Sequence, residues 1–288
     1  MSGPPLLEVE DLWVRFPGET RTVEAVRGIS FSLGRERLGL VGESGSGKSM
    51  TGRAILGLVH PPGQVSAKRL AFDGLDLSSL GDAGLRRIRG ARISMVLQDP
   101  KFSLNPVMTV GRQIAEAYRT HAGAEAGKAK DKALEMLAAV RIRDPERVYQ
   151  AYPHQLSGGM GQRAMIAMML VPEPELIIAD EPTSALDVTV QMQVLAILDD
   201  LVRERGMGLL FISHDLNLVA SFCDRVMVMY AGRILETCRA DALSEAQHPY
   251  TKGLLASLPR LEQPVDELPT LERDARWSEE PSVDARGD

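Results

Sequence analysis

Cysteine is scarce: Cys223 and Cys238 are the only two in 288 residues. Two cannot build a disulfide framework, and they lack any metal-ligand spacing, so both read as buried or inert thiols. Long apolar runs are missing as well. The longest, Ala164 to Val171, falls far short of a bilayer span. The start, Met1-Ser2-Gly3-Pro4-Pro5, has neither the basic nor the apolar region of a signal peptide. The chain is therefore expected to be cytosolic, and any work at a membrane would depend on another chain as anchor. Positive charge is not in excess either. The formal net charge of -6 argues against nucleic-acid or anionic-membrane binding through bulk charge, though not against a local basic patch. No internal repeat and no long low-complexity block occurs. What remains, 44% hydrophobic and 25% charged, is an ordinary globular composition, long enough to bury a full core in one or two domains.

Hydrophobic periodicity predicts strands over Leu7–Phe16, Ala25–Leu33 and Leu38–Val41, the last feeding a glycine-rich loop, then a helix over Lys48–Leu58. Pro61-Pro62-Gly63 reads as a turn, and Arg69–Phe72 and Arg92–Leu97 as strands, the latter ending at Gln98. From Thr109 to about Val171 the period turns helical, over Val110–Tyr118, Lys128–Val140 and Ser157–Leu170, with Ser157 able to cap the last. After Pro172 alternation resumes: strand Leu176–Ala179, helix Thr189–Glu204, strand Gly208–Ile212, helix Leu216–Phe222, strand Arg225–Met229. The pattern predicts an α/β fold, a parallel-sheet core with a helical insertion. From Leu261 onward, acidic residues, Arg and Pro with little periodicity suggest a mobile tail.

Three motifs carry chemistry. Gly42-Glu43-Ser44-Gly45-Ser46-Gly47-Lys48-Ser49 is a phosphate-binding loop. Its glycines let backbone N–H groups converge on an anion. Lys48 would reach the β/γ-phosphates and Ser49 would ligate Mg²⁺, while the helix that begins there aims its positive end at the phosphates. The apolar run Leu176-Ile177-Ile178-Ala179 ends in Asp180-Glu181. Alone, an acidic pair at a strand end reads as a solvated loop. Downstream of a phosphate loop, Asp180 reads as the Mg²⁺-linked carboxylate and Glu181 as the group that polarises the attacking water. His214 follows a strand, on the edge where open α/β sheets bind ligands. Gln98 also ends a strand, where it would contact Mg²⁺ or water and couple the site to the insertion. Phe16 is a candidate to stack on adenine, with a core aromatic as the alternative.

The third motif, Leu156-Ser157-Gly158-Gly159-Met160, lies between the other two and resembles the signature of ABC-type ATPases. The set as a whole is similar to the nucleotide-binding subunit of ABC transporters over about residues 6–258. That resemblance implies a P-loop NTPase of ABC ATPase type, with an antiparallel β subdomain and a helical subdomain, about 99–171, inserted in the core; residues 259–288 would be the mobile tail. It implies that Phe16 and Gly42 through Met50 bind ATP and that Ser49, Gln98 and Asp180 serve Mg²⁺. Glu181, His214 and Gln98 would be catalytic, and Ser184-Ala185-Leu186-Asp187 would be the D-loop. Two such domains pair head to tail, so that Leu156–Met160 of one closes on ATP held by the other.

A finer resemblance is to the peptide/nickel importer branch. It rests on the phosphate loop itself, Tyr152-Pro153-His154-Gln155, Asp187-Val188-Thr189-Val190-Gln191 and His248-Pro249-Tyr250-Thr251. Met160 and Met165-Ile166-Ala167-Met168 are similar to the D-type member of that branch's ATPase pair. Many oligopeptide ATPases of the branch carry a cysteine-rich C-terminal segment that binds an iron–sulfur cluster; no cysteine follows Pro259 here, so no cluster is predicted. Gly161 stands where members often have Arg. The implied function is ATP hydrolysis energising an importer for di/oligopeptides or nickel and metal-chelate complexes. The implied partners are a second, distinct ATPase chain, two membrane permeases and a substrate-binding protein, with no nucleic acid, at the cytoplasmic face of the inner membrane. The alternative is a soluble ABC-type ATPase acting on DNA or ribosomes. Such chains carry long coiled-coil insertions or fused ATPase domains, and this one has a single motif set.

Overall fold

The computed structural model describes residues 4–98, 103–184, 186–257 and 273–286. The chain opens with β1 (Leu7–Phe16) and β2 (Val23–Leu33), an antiparallel pair. Leu7 and Val9 are buried on one face, and the buried set then steps by three to Leu12 and Val14. A bulge explains the change of phase: Val9 pairs with Phe31 but Leu12 with Ile29, so β1 carries one residue more than β2 there. Asp11 takes the extra position at φ 51, donating its N–H to Ser30 Oγ at 2.9 Å and accepting from Trp13 Nε1 at 2.8 Å.

Then come β3 (Arg37–Val41), α1 (Lys48–Ile55), β4 (Gln64–Ser66), β5 (Arg69–Phe72) and β6 (Leu75–Asp76). Helix α1 stops short of the predicted Leu58. Gly57 turns left-handed at φ 61, its N–H bonds Ala54 O at 3.0 Å, and the Leu58 N–H reaches Arg53 O at 2.8 Å. That paired closure ends a helix where only glycine adopts the required φ without strain.

Next are α2 (Asp82–Ile88), β7 (Ile93–Val96), α3 (Val110–Ala122), α4 (Ala126–Ala139), α5 (Pro145–Gln150), α6 (Gly158–Leu170) and β8 (Leu176–Asp180). The remaining elements are α7 (Val188–Arg205), β9 (Gly208–Ser213), α8 (Leu216–Phe222), β10 (Arg225–Tyr230), β11 (Arg233–Arg239), α9 (Pro249–Ala256) and β12 (Asp284–Ala285). Side-chain caps fix several starts. Asp144, Ser157, Asp187 and Asp215 each accept a backbone N–H from the first turn of α5, α6, α7 and α8.

These elements form two compact units, Met1–Ser79 with Leu210–Asp288, and Leu80–Leu209. The first holds a sheet in the order β12-β2-β1-β5-β6, with β4 also on β1, antiparallel throughout except where β12 joins β2. Its second sheet runs β11-β10-β3-β9, with β10 parallel to β3 and β11 antiparallel to β10. In the second unit β7 and β8 pair in parallel, Ile93 opposite Leu176 through Val96 opposite Ala179. Helices α3 to α6 pack on one another there, burying Val110, Ile114, Ala133, Met136, Val148 and Ile166. The division between the units falls inside β9.

The C-terminal segment departs from the sequence expectation. Residues 258–272 lie outside the described set, but 273–286 are laid onto the first unit rather than free. Strand β12 adds to β2 in parallel, Asp284 opposite Ser30 and Ala285 opposite Phe31. Trp277 is buried, Val283 N–H bonds Ile234 O at 2.8 Å, and Arg225 donates to Ala285 O at 2.7 Å. One tryptophan and a two-residue strand anchor a stretch whose composition carries no periodic signal.

Candidate nucleotide-binding site

The phosphate loop joins β3 to α1 in the first unit. A Cβ at Gly42 would lie 2.1 Å from Met229 O, and one at Gly47 (φ 106) would lie 2.3 Å from Ala25 O. Neighbouring backbone therefore presses on the loop, and only residues without a side chain fit. Gly232 N–H bonds Ser46 O at 2.9 Å and so ties the loop to the β10–β11 turn. Lys48 is 5% exposed, and its Nζ donates to Gly42 O and Glu43 O, both at 2.8 Å. The cation is thus held over the loop by the loop's own carbonyls, at the base of α1, where the helix places its positive end.

Also in the first unit, Phe16 is half-buried at the end of β1, so it is not a core aromatic. A Cβ on Gly63 would meet its ring at 2.7 Å. His214 is exposed and follows β9, the strand beside β3.

The second unit holds the other predicted residues. Asp180, 5% exposed, closes β8, and Glu181 follows at φ 48, a left-handed conformation unusual for a non-glycine residue. Such backbone costs on the order of 1–3 kcal/mol and persists only where surroundings enforce it. Here Ser184 donates both N–H and Oγ to Glu181 O, at 3.3 and 3.2 Å. Because Val96 is opposite Ala179, Gln98 and the Asp180-Glu181 pair emerge at the same ends of two adjacent parallel strands.

The Leu156–Met160 segment starts α6, capped by Ser157 Oγ accepting from Met160 N–H at 3.4 Å. Gly159 faces α7 so closely that a Cβ would stand 2.5 Å from Val190 Cγ1. Asp187 Oδ1 caps α7 through Val190 N–H at 3.0 Å, so the signature packs against the start of α7 that Asp187 caps; Ala185 lies outside the described residues. Gln162, buried on α6, donates Nε2 to Pro182 O and links the signature helix to the turn after Glu181. Sequence reasoning alone misses Gln162; a lone amide ahead of the apolar run 164–170 is its only signal. Burial raises the Cys223 thiol to about 12 and the Cys238 thiol to about 11, in keeping with inert thiols.

Residues 26–184 match the family model described as ABC transporter. The chain belongs to the ABC transporter family. This ABC transporter ATPase is 48% identical over 269 residues to the dipeptide transport ATP-binding protein DppD of Haemophilus influenzae, covering 93% of this chain and 82% of that one. It is 46% identical over 268 residues to DppD of Escherichia coli, covering 92% and 82%. It is 50% identical over 257 residues to a probable peptide ABC transporter ATP-binding protein of Sinorhizobium fredii, covering 88% and 77%. Among solved structures, an ATP-binding cassette in a dimeric post-hydrolysis state with ADP and Pi superposes with a TM-score of 0.73 at 26% identity, covering 81% of this chain and 98% of that one. The expected α/β P-loop fold of ABC ATPase type is the fold of this family.

Proposed function

We propose that this chain is the ATP-hydrolysing subunit that energises an ABC importer for peptides. The observation that carries the reading is the 46–50% identity to dipeptide and peptide import ATP-binding proteins over most of the chain. Residues 6–258 are then the ATPase domain, with the helical part 99–171 inserted in it. The nickel and metal-chelate cargoes implied by the sequence resemblance stay within the same importer class. No observation favours the alternative of a soluble ATPase acting on DNA or ribosomes.

In this reading Gly42 through Met50 receive the ATP phosphates, Lys48 exchanging the loop's carbonyls for phosphate oxygens, and Phe16 stacks on the adenine. Glu181 takes the proton of the attacking water, while Gln98 and His214 orient that water and the γ-phosphate. A magnesium ion bound with ATP would neutralise phosphate charge. Its donors here would be the Ser49 hydroxyl, the Asp180 carboxylate and Gln98. Oxygen donors of this kind fit the ion, which relies on phosphates and waters for the rest of its shell. Among the described residues no group of three or more His, Cys, Asp or Glu could hold a metal ion.

Leu156 to Met160 close on the ATP of a second ATPase chain, and the D-loop lies at that junction. Among the described residues no helix is long and apolar enough to cross a membrane. On the likeness to peptide import ATP-binding proteins, the subunit would attach to two permeases at the cytoplasmic face of the inner membrane, with a substrate-binding protein delivering cargo. The test is gentle extraction of the tagged chain from its own membranes. Recovery of two multi-helix permeases and a second ATPase is expected, with peptide-stimulated hydrolysis on reconstitution. Recovery of nucleic acid without permeases would overturn the transport reading.

A further inference from the structure

Glu43, the second residue of the phosphate loop, is held on three sides. Its carbonyl accepts Lys48 Nζ at 2.8 Å and Ser46 N–H at 3.2 Å. Its N–H donates to Tyr250 Oη at 3.3 Å, and its carboxylate pairs with the Arg273 guanidinium at 3.1 Å. The last two holds come from residues 207 and 230 positions later in the chain.

Tyr250 itself is fixed in place. It is fully buried, and burial raises its phenol above the ordinary range, so the hydroxyl stays neutral. Its ring packs against Tyr230 at 4.6 Å and Trp277 at 5.8 Å. Its N–H donates to His248 Nδ1 at 3.0 Å. With Nδ1 accepting, His248 carries its proton on Nε2, which stands 2.9 Å from Glu280 Oε2. Trp277 and Glu280 belong to the segment 273–286, which Arg27 ties down through Ser278 O at 2.7 Å. The path from the C-terminal segment to the loop is one of direct contacts within one unit.

We propose that Tyr250 and Arg273 are positioning residues for ATP: by holding Glu43 they keep Lys48 and the loop amides at the spacing that phosphate binding requires. The proposal rests on reading Gly42–Ser49 as the ATP phosphate loop. Neither side chain touches nucleotide; each acts through Glu43.

The experiment uses the full chain and magnesium AMP-PNP, a non-hydrolysable ATP analogue, titrated calorimetrically, with melting temperature measured in parallel. Tyr250→Phe keeps the ring and loses the hydroxyl, and is expected to weaken binding by about three- to tenfold, the span of one net hydrogen bond. Arg273→Ala, at an exposed site, is expected to weaken it by about two- to threefold, with Arg273→Lys restoring most of the loss and high salt abolishing the difference. Melting temperatures without nucleotide should stay near the parent value. Variants that melt lower yet bind as the parent does would make both residues merely structural and overturn the proposal, as would unchanged affinity with unchanged melting. Should Tyr250→Phe fail to fold, the exposed Arg273 pair of variants decides alone. A parent chain that binds no AMP-PNP would instead overturn the reading of the phosphate loop, and the proposal with it.

Discussion

At the scale of single residues, the proposed roles divide into groups that do chemistry and groups that hold them. Glu181 sits at a positive φ directly after the buried Asp180. Replacing its carboxylate by the isosteric amide removes the proposed base and little else. Glu181→Gln is expected to leave ATP binding intact and to cut turnover by about 10²–10⁴-fold, the range for losing a general base; steady-state hydrolysis beside equilibrium binding checks both halves, and undiminished hydrolysis would remove Glu181 from that role. Gly47 has the opposite character. Its φ is 106 and a Cβ there would stand only 2.3 Å from Ala25 O, so Gly47→Ala strains the loop twice over. The expected result is lost nucleotide binding, read by the same titration. The phosphate loop and the Asp180-Glu181 pair are legible in the sequence because each is contiguous. The contacts of Gln162, Tyr250 and Arg273 are not, since each acts on a residue that only folding brings near, 20, 207 and 230 positions away.

At the scale of elements, caps and close approaches decide where helices begin and how tightly they meet. Asp187 caps α7 through Val190 N–H, and Val190 is also the residue that Gly159 nearly touches. Asp187→Ala is expected to lower stability by about 1 kcal/mol in chemical denaturation. Gly159→Val overpacks the same junction and is expected to cost about 1–3 kcal/mol and to reduce hydrolysis as well. Strand β1 is readable from end to end, because its apolar residues recur at strand spacing on both sides of the bulge. Strand β11 is not. Its hairpin with β10 turns through Ala231 and Gly232, both at positive φ, with Tyr230 opposite Arg233. That is a two-residue turn whose usual sequence cue is Asn-Gly, and Ala-Gly carries a weaker one. Helix α5, Pro145–Gln150, is too short to show a period. Helix α9 falls on the His248–Thr251 motif, which is recognisable by its letters rather than by its periodicity.

At the scale of the whole molecule, surface carboxylates set the response to acid. Hydrogen bonds from Lys68, Arg69 and Arg286 hold Glu10, Glu8 and Asp284 below their ordinary values, and Lys132 does the same for Glu173. A carboxylate lowered in the folded state contributes stability above its unfolded value and loses it as pH falls through the folded one. The melting temperature is therefore expected to hold between about pH 7 and pH 5 and to drop below about pH 4. Arg286 pairs with both Asp284 on β12 and Glu10 on β1, so the last strand is expected to hold until pH falls through their lowered values and then to loosen, followed by Trp277 fluorescence. The two units also differ in how the chain supplies them. Leu80–Leu209 is one uninterrupted stretch, whereas the other unit is drawn from both flanks, and β2 takes Asp284 and Ala285 of β12 along its outer edge. During synthesis the continuous stretch can begin to pack its helices as soon as it emerges. The flanking unit, which carries the phosphate loop, must wait for residues 273–286 before β12 can pair with β2. The order in which the polypeptide is made thus leaves the loop unbraced until residues 207 and 230 positions further on have been added.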